Sequence, residues 1–191
     1  MMASISRNRR RSAPVTRAYA ESLPFPEQSL DAAMAILTVH HWSDLTAGPA
    51  ELRRVSARRV ILTWDPVTER EFWLLREYLP ELAEKTAGLT SLDAVVTSLA
   101  RVGADVSVVP VPIPADCTDG FLGAYWRQTH RYLDPQARAA ISAFTHLDRH
   151  VLGPALQRLK ADITTGRWHH GRKSLLNADT LDLGYRLVTA H

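Results

Sequence analysis

The chain has 191 residues, 46% of them hydrophobic and 23% charged, which is the composition of one ordinary globular domain with enough length to bury a core. No apolar run approaches the ~18 residues that a membrane-spanning helix needs, and the arginine-rich start lacks the apolar stretch of a secretory signal. Cys117 is the only cysteine, so no intramolecular disulfide can form, and a reducing, cytoplasmic setting is the expectation.

The net charge of +3 is unevenly spread. Arg7, Arg9, Arg10 and Arg11 lie within the first eleven residues, and without these four the balance falls to −1. A nucleic-acid partner requires a basic face on the folded part, and these totals argue against one. Residues 1–13 have no apolar periodicity and read as a disordered basic tail, with residues 14–191 as a single domain.

Residues 14–20 (PVTRAYA) are expected to form a strand. Leu23-Pro24-Phe25-Pro26 is a loop, because each proline forces its predecessor into extended geometry. Residues 32–39 (AAMAILTV) form a near-continuous apolar strand, the pattern of a sheet covered on both faces. A helix is expected to start close to Ala47 and run to Val55, with Pro49 tolerated only in its first turn. Residues 57–64 form the next strand, which Asp65-Pro66 ends. A strand, loop, strand, helix and strand in this order indicate a parallel βαβ arrangement.

Beyond Glu69 the period becomes helical. Phe72, Trp73, Leu75, Tyr78, Leu79 and Leu82 mark one stretch, and Ser91–Val102, closed by Gly103, marks another. Residues 105–113 alternate apolar residues but carry two prolines, which confines them to an edge strand. Phe121, Tyr125 and Trp126 follow at helical spacing, with Arg127, His130 and Arg131 nearby, in the densest mixture of aromatic and polar groups. Pro135–Leu147 and Val151–Thr165 are helical, and Leu181–Ala190 closes the chain as a strand expected to pair with 105–113. His146 and His150 have the i, i+4 spacing of a zinc helix, but Leu147 stands where the metalloprotease motif has glutamate. A surface pair is therefore expected, and no metal site.

Three linked motifs carry a family resemblance. Ala20-Glu21-Ser22-Leu23-Pro24-Phe25-Pro26, then Ser29-Leu30-Asp31-Ala32, then Leu37-Thr38-Val39-His40-His41-Trp42 resemble the middle of a class I S-adenosylmethionine-dependent methyltransferase of the type 11 domain. Its members read approximately D/E-A-x-x-L-P-F-x-x-x-S-F-D, followed by a strand ending in A-L-H-H. The resemblance covers about residues 12–66. The glycine-rich turn that opens such domains has no counterpart, since the first glycine is Gly48.

The resemblance implies an α/β, Rossmann-like methyltransferase sheet, incomplete, with the first two strands missing. Helical insertions would follow the fifth strand (largely 66–103 and 117–178), and a C-terminal antiparallel strand would end the sheet. It implies S-adenosylmethionine as cofactor and a small-molecule methyl acceptor, with impaired cofactor binding in this shortened form. The alternative is a non-catalytic or partner-dependent remnant. An unpaired sheet edge would further invite self-association.

By the same resemblance, Tyr19, Ala20, Glu21, Leu37 and Thr38 lie against the cofactor. Tyr19 stands where the family has an acid, and it either stacks on the adenine or packs as a strand-ending tyrosine. For His40 and His41, three readings stand open: metal ligands, a base for the acceptor, or packing beside the cofactor. Trp42, Tyr125 and Trp126 are the candidate acceptor-lining residues.

Overall fold

The computed structural model describes residues 14–103, 105–145 and 147–191. The basic tail 1–13 and His146 of the histidine pair lie outside the described residues. Along the chain run β1 (Leu30–Ile36), α1 (Ala47–Val55), β2 (Ser56–Trp64), α2 (Pro66–Glu69), α3 (Trp73–Glu77), α4 (Pro80–Ala87), α5 (Leu92–Arg101), β3 (Val106–Pro110) and β4 (Ile113–Pro114). Then follow α6 (Pro135–Ala139), α7 (Ser142–Thr145), α8 (Arg149–Thr164), α9 (Lys173–Asn177), β5 (Thr180–Leu181) and β6 (Tyr185–Ala190).

The main sheet has the order β1-β2-β6-β3. Strands β1 and β2 are parallel, from Leu30 opposite Ser56 to Ile36 opposite Leu62. Strand β6 runs antiparallel to both its neighbours, with Ile61 and Val108 each opposite Val188. The expected pairing of the last strand with residues 105–113 is therefore present, and β3 is an edge strand as its prolines require.

Helix α1 forms where its signals place it. Asp44 Oδ1 accepts from the N–H groups of Thr46 and Ala47, and Pro49 sits in the first turn, where no intrahelical donor is lost. Helix α5 is capped by Ser91, whose hydroxyl accepts from Ala94 N, and it gives way to Gly103 at φ +75.

One face of the sheet is covered. Ala35, Ile61 and Val188 pack under Leu52 of α1 and Val95 and Leu99 of α5. The opposite face is bare over much of its length. Met34 is 63% exposed, Ile36 53% and Val109 51%, and Val60, Leu62 and Leu187 between them are only half-buried. Those six side chains belong to neither core of the protein. The apolar character expected of a doubly covered sheet is present, but among the described residues only one cover is.

Residues 14–20 do not form the expected strand. They carry no strand ladder, only one isolated bridge from Tyr19 to Ser22. The physical reason lies downstream, where the following loop is stitched to α1. Glu51 accepts from Leu23 N, and Arg54 donates to the carbonyls of Leu23 and Phe25 while also bonding Glu51. The loop is therefore held on α1, and among the described residues the outer edge of β1 has no partner strand.

At the carboxyl end of the sheet a helical cap encloses the larger core. Trp73 is its centre, edge-on to Trp168, Tyr132 and Tyr78, and its indole N–H donates to the carbonyl of Trp126 at 2.9 Å. The expected helix over Phe121–Trp126 is instead a run of turns, with Ala124 bonded to Phe121 O and Trp126 to Gly123 O. Gly123 allows the close approach, since a Cβ there would lie 2.7 Å from Leu183 Cδ1.

Gly184 joins cap to sheet. Its φ of +87 and its carbonyl bond from Asp65 N at 2.7 Å set the entry to β6, and a Cβ would lie 2.6 Å from Asp65 O. Gly184→Ala is expected to lose about 2–4 kcal/mol in urea unfolding, since it combines a left-handed backbone with a backbone clash. A loss below about 0.5 kcal/mol would show that this turn is more pliable than its geometry implies.

Candidate functional site at the carboxyl edge of the parallel strands

In α/β sheets, ligands bind outside the carboxyl ends of parallel strands. Here that edge is made by the residues that follow β1 and end β2. Leu37 leaves β1 with φ +50, a conformation costly for a branched side chain, while its N–H stays bonded to Leu62 O at 2.8 Å. Such strain clusters at functional sites.

Thr38 then opens a single 3₁₀ turn, Val39–His41, closed by bonds from His41 N to Thr38 O and from Trp42 N to Val39 O. Val39 is buried and anchors the turn, and it sends the two imidazoles to different environments. His41 is exposed. His40 is half-buried, 3.8 Å from the His41 ring and 4.5 Å from the Trp64 ring at the end of β2. Burial, with a smaller effect from the neighbouring charge of His41, lowers the His40 pKa to about 4, so this imidazole is neutral at physiological pH. The 3₁₀ turn thus keeps the two rings against each other, whereas an extended chain would point them apart.

Trp42 packs against Gly48, where an added Cβ would clash with the indole ring. Glu21 reaches the same loop: Oε1 accepts from Ser43 N, Ser43 Oγ and Asp44 N at 2.7–3.1 Å. These bonds, led by that from Asp44 N, hold its carboxyl below its usual range. Of the expected cofactor-side residues Tyr19, Ala20 and Glu21, it is Glu21 whose side chain bonds to the Ser43–Asp44 segment directly after the turn bearing His40, His41 and Trp42. Tyr19 itself is 78% exposed with its ring free for contact, so the strand-packing reading of this residue is not what the fold adopts.

Tyr125 and Trp126 are placed differently. Both are buried in the larger core, at whose margin Leu37 and Trp64 also pack. The Trp126 indole donates to Ile113 O at 3.0 Å, and Arg131 covers the Tyr125 ring at 4.8 Å. They support the cap from beneath and offer no open face. Asp65 is the N-cap of α2, accepting from Val67 N and Thr68 Oγ. Among the described residues no group of three His, Cys, Asp or Glu is arranged to hold a metal ion.

Two residues at this edge escape a reading of the sequence. Trp64 ends β2 with its indole N–H unpaired and sealed from solvent. Its only signal was its place at the carboxyl end of an apolar strand. Glu69, the last residue of α2, is buried with Oε2 unpaired, beside Tyr185 and Thr86.

Comparison with known proteins fits this geometry. The family profile of the methyltransferase domain matches residues 1–62. A crystal structure from Anabaena variabilis ATCC 29413, of a protein assigned as a methyltransferase of an antibiotic biosynthesis pathway, is 30% identical. It superposes on 92% of this chain and 72% of its own with a TM-score of 0.86. The chain belongs to the class I S-adenosylmethionine-dependent methyltransferase family. Its sheet is the incomplete Rossmann-like sheet of that family, and the cofactor of the family is S-adenosylmethionine.

More distant solved structures are a SAM-dependent methyltransferase from Aquifex aeolicus and geranyl diphosphate C-methyltransferase from Streptomyces coelicolor A3(2). The first is 24% identical over 51% of this chain and 48% of its own, with a TM-score of 0.38. The second is 13% identical over 91% of this chain and 52% of its own, with a TM-score of 0.43. This chain thus spans about half the length of those two proteins. A comparison with curated proteins returns no match.

Burial raises the Glu69 pKa from its usual value to about 7. The folded protein therefore binds this proton more tightly than the unfolded chain. Stability from Glu69 is full below pH ~4.5 and is lost as pH rises toward ~7, by about 3 kcal/mol in all. Denaturant melts at pH 5 and pH 8 should show this loss, and Glu69→Gln should flatten it. An unchanged slope in the variant would mean that another group titrates.

Proposed function

We propose that this chain transfers the methyl group of S-adenosylmethionine to a small-molecule acceptor at the carboxyl edge of β1 and β2, in the cytoplasm. The observation that carries the reading is the convergence, at one end of a parallel strand pair, of the Tyr19–Glu21 loop, the strained Leu37–Thr38 turn and the His40–Trp64 ring pair.

The residues present fit one side of such a cofactor. Tyr19 offers a free aromatic face for a flat base, and the Leu37–Thr38 turn offers a wall beside it. Ala20 and Glu21 shape the loop between them, with Glu21 occupied in holding it to Ser43 and Asp44. When bound, S-adenosylmethionine supplies a methyl already activated on a sulfonium, so the protein's task is mainly positioning.

His40, kept neutral, accepts a hydrogen bond and orients the acceptor, with exposed His41 against it on the solvent side. Trp42 lines the acceptor side, while Tyr125 and Trp126 set the cap behind it. Among the described residues no glycine-rich turn faces this edge, so affinity for the cofactor falls below what a complete cradle gives. No described helix is long and apolar enough to cross a membrane.

A second reading, a partner-dependent subunit, is favoured by the unpaired outer edge of β1 and the bare face around Met34 and Ile36. An exposed apolar edge strand is a ready template for another chain, and self-association is the simplest outcome.

Calorimetric titration with S-adenosylhomocysteine separates the two. Measurable binding that weakens several-fold in Tyr19→Ala supports the enzyme reading, and no heat and no thermal shift at millimolar ligand would reject it. Sedimentation is the second arm. The chain is expected to self-associate at micromolar concentration and Met34→Lys to dissociate it, whereas a wild-type monomer would remove the self-association reading.

A further inference from the structure

His40 Nδ1 and Trp64 Nε1 are both sealed from solvent and both lack a hydrogen-bond partner among the described residues. They come from neighbouring parallel strands, one just beyond β1 and the other the last residue of β2, and their rings meet edge-on at 4.5 Å. Buried polar groups in folded proteins are nearly always paired, so two unpaired ones on adjoining rings call for an explanation. The fold satisfies comparable groups nearby: Trp73, Trp126 and Tyr132 each donate to a backbone carbonyl. Trp168 also keeps an unpaired indole, but it lies within the cap under the Arg172 guanidinium, at 5.2 Å.

The two atoms have complementary demands. An indole N–H can only donate, and an unprotonated imidazole nitrogen accepts. We propose that His40 and Trp64 form a recognition site for the hydroxyl of the methyl acceptor, its oxygen accepting from Trp64 Nε1–H and its O–H donating to His40 Nδ1. The substrate class is thereby a hydroxyl-bearing small molecule. This rests on the methyltransferase reading above and deepens it.

A hydroxyl is suited to the pair because it donates and accepts through one atom. An ether only accepts, and an aliphatic ammonium only donates. The aromatic surroundings favour a phenolic carrier over an aliphatic one. Trp64 is a donor in direct contact with the acceptor, and His40 acts as an acceptor held in place by the buried Val39 anchor and the Leu37 turn. The exposed His41 lies on the outer side of the same turn, so the pair sits one ring beneath the surface.

The test uses the full chain labelled with 15N-histidine, titrated with phenol and with anisole, its methyl ether. Phenol is expected to move the His40 Nδ1 resonance, identified by its loss in His40→Gln, and anisole to bind about 2- to 10-fold more weakly, the range set by one net hydrogen bond. Trp64→Phe, which keeps an aromatic ring and removes the N–H, is expected to bring the phenol-to-anisole ratio close to one.

Equal binding of the two ligands to the wild type, phenol shifts confined to other histidines, or no phenol binding would each overturn the proposal. A Trp64→Phe ratio equal to that of the wild type would do so as well. The wild-type comparison stands even where the variant folds poorly. Phenol discrimination without S-adenosylhomocysteine binding would remove the methyltransferase reading and keep the hydroxyl site, and the converse result would do the reverse.

Discussion

The parallel pairing of β1 with β2 is the constraint from which the rest of the molecule follows. Register from Leu30–Ser56 to Ile36–Leu62 brings both strands to their carboxyl ends side by side. The turn after β1 and the last residue of β2 therefore share one edge. Shifting the register by one residue would exchange the faces of β1, taking Ala35 out of the covered side and putting Met34 into it. The His40–Trp64 contact and the Leu37 N–H bond to Leu62 both depend on that alignment.

Around this pair the protein divides its apolar residues between two cores. The smaller lies between the sheet and helices α1 and α5, and the larger lies in the cap around Trp73. They meet near the candidate site, where Val39 belongs to the first core and Leu37 and Trp64 adjoin the second. The site is thus seated at a seam, with one wall fixed by the sheet and the other by the cap. Buried Glu69 sits on the cap side of that seam, where desolvation raises its pKa to about 7 and keeps the carboxyl protonated below neutrality.

Much of this was legible in the sequence where local chemistry and tertiary packing agree. Asp44 and Pro49 placed the start of α1, Ser91 and Gly103 bounded α5, and paired prolines put β3 at an edge. The strand expected over residues 32–39 instead ends at Ile36, because Leu37 turns to φ +50 and Val39 enters the 3₁₀ turn. Reading failed where long-range bonds override spacing. Residues 14–20 have a strand's composition, but the Glu51–Arg54 clamp draws the following loop onto α1 instead. Phe121, Tyr125 and Trp126 have a helix's spacing, yet glycines at 120 and 123 admit close approaches from Ala140 and Leu183, and the backbone folds into turns. Trp64 could be placed at a strand end, but its unpaired nitrogen is a property of three-dimensional contacts alone.

The junction between α1 and β2 has no connecting loop. Val55 ends the helix, and buried Ser56 begins the strand, its hydroxyl bonded to Leu52 O behind it and Arg58 O ahead. Helix and strand consequently act as one stiff lever. The Leu23–Phe25 loop rides on one arm of that lever through Arg54, and Trp64 rides at the tip of the other. One continuous backbone unit, clasped in the sheet between β1 and β6, therefore fixes the spacing between that loop and the indole.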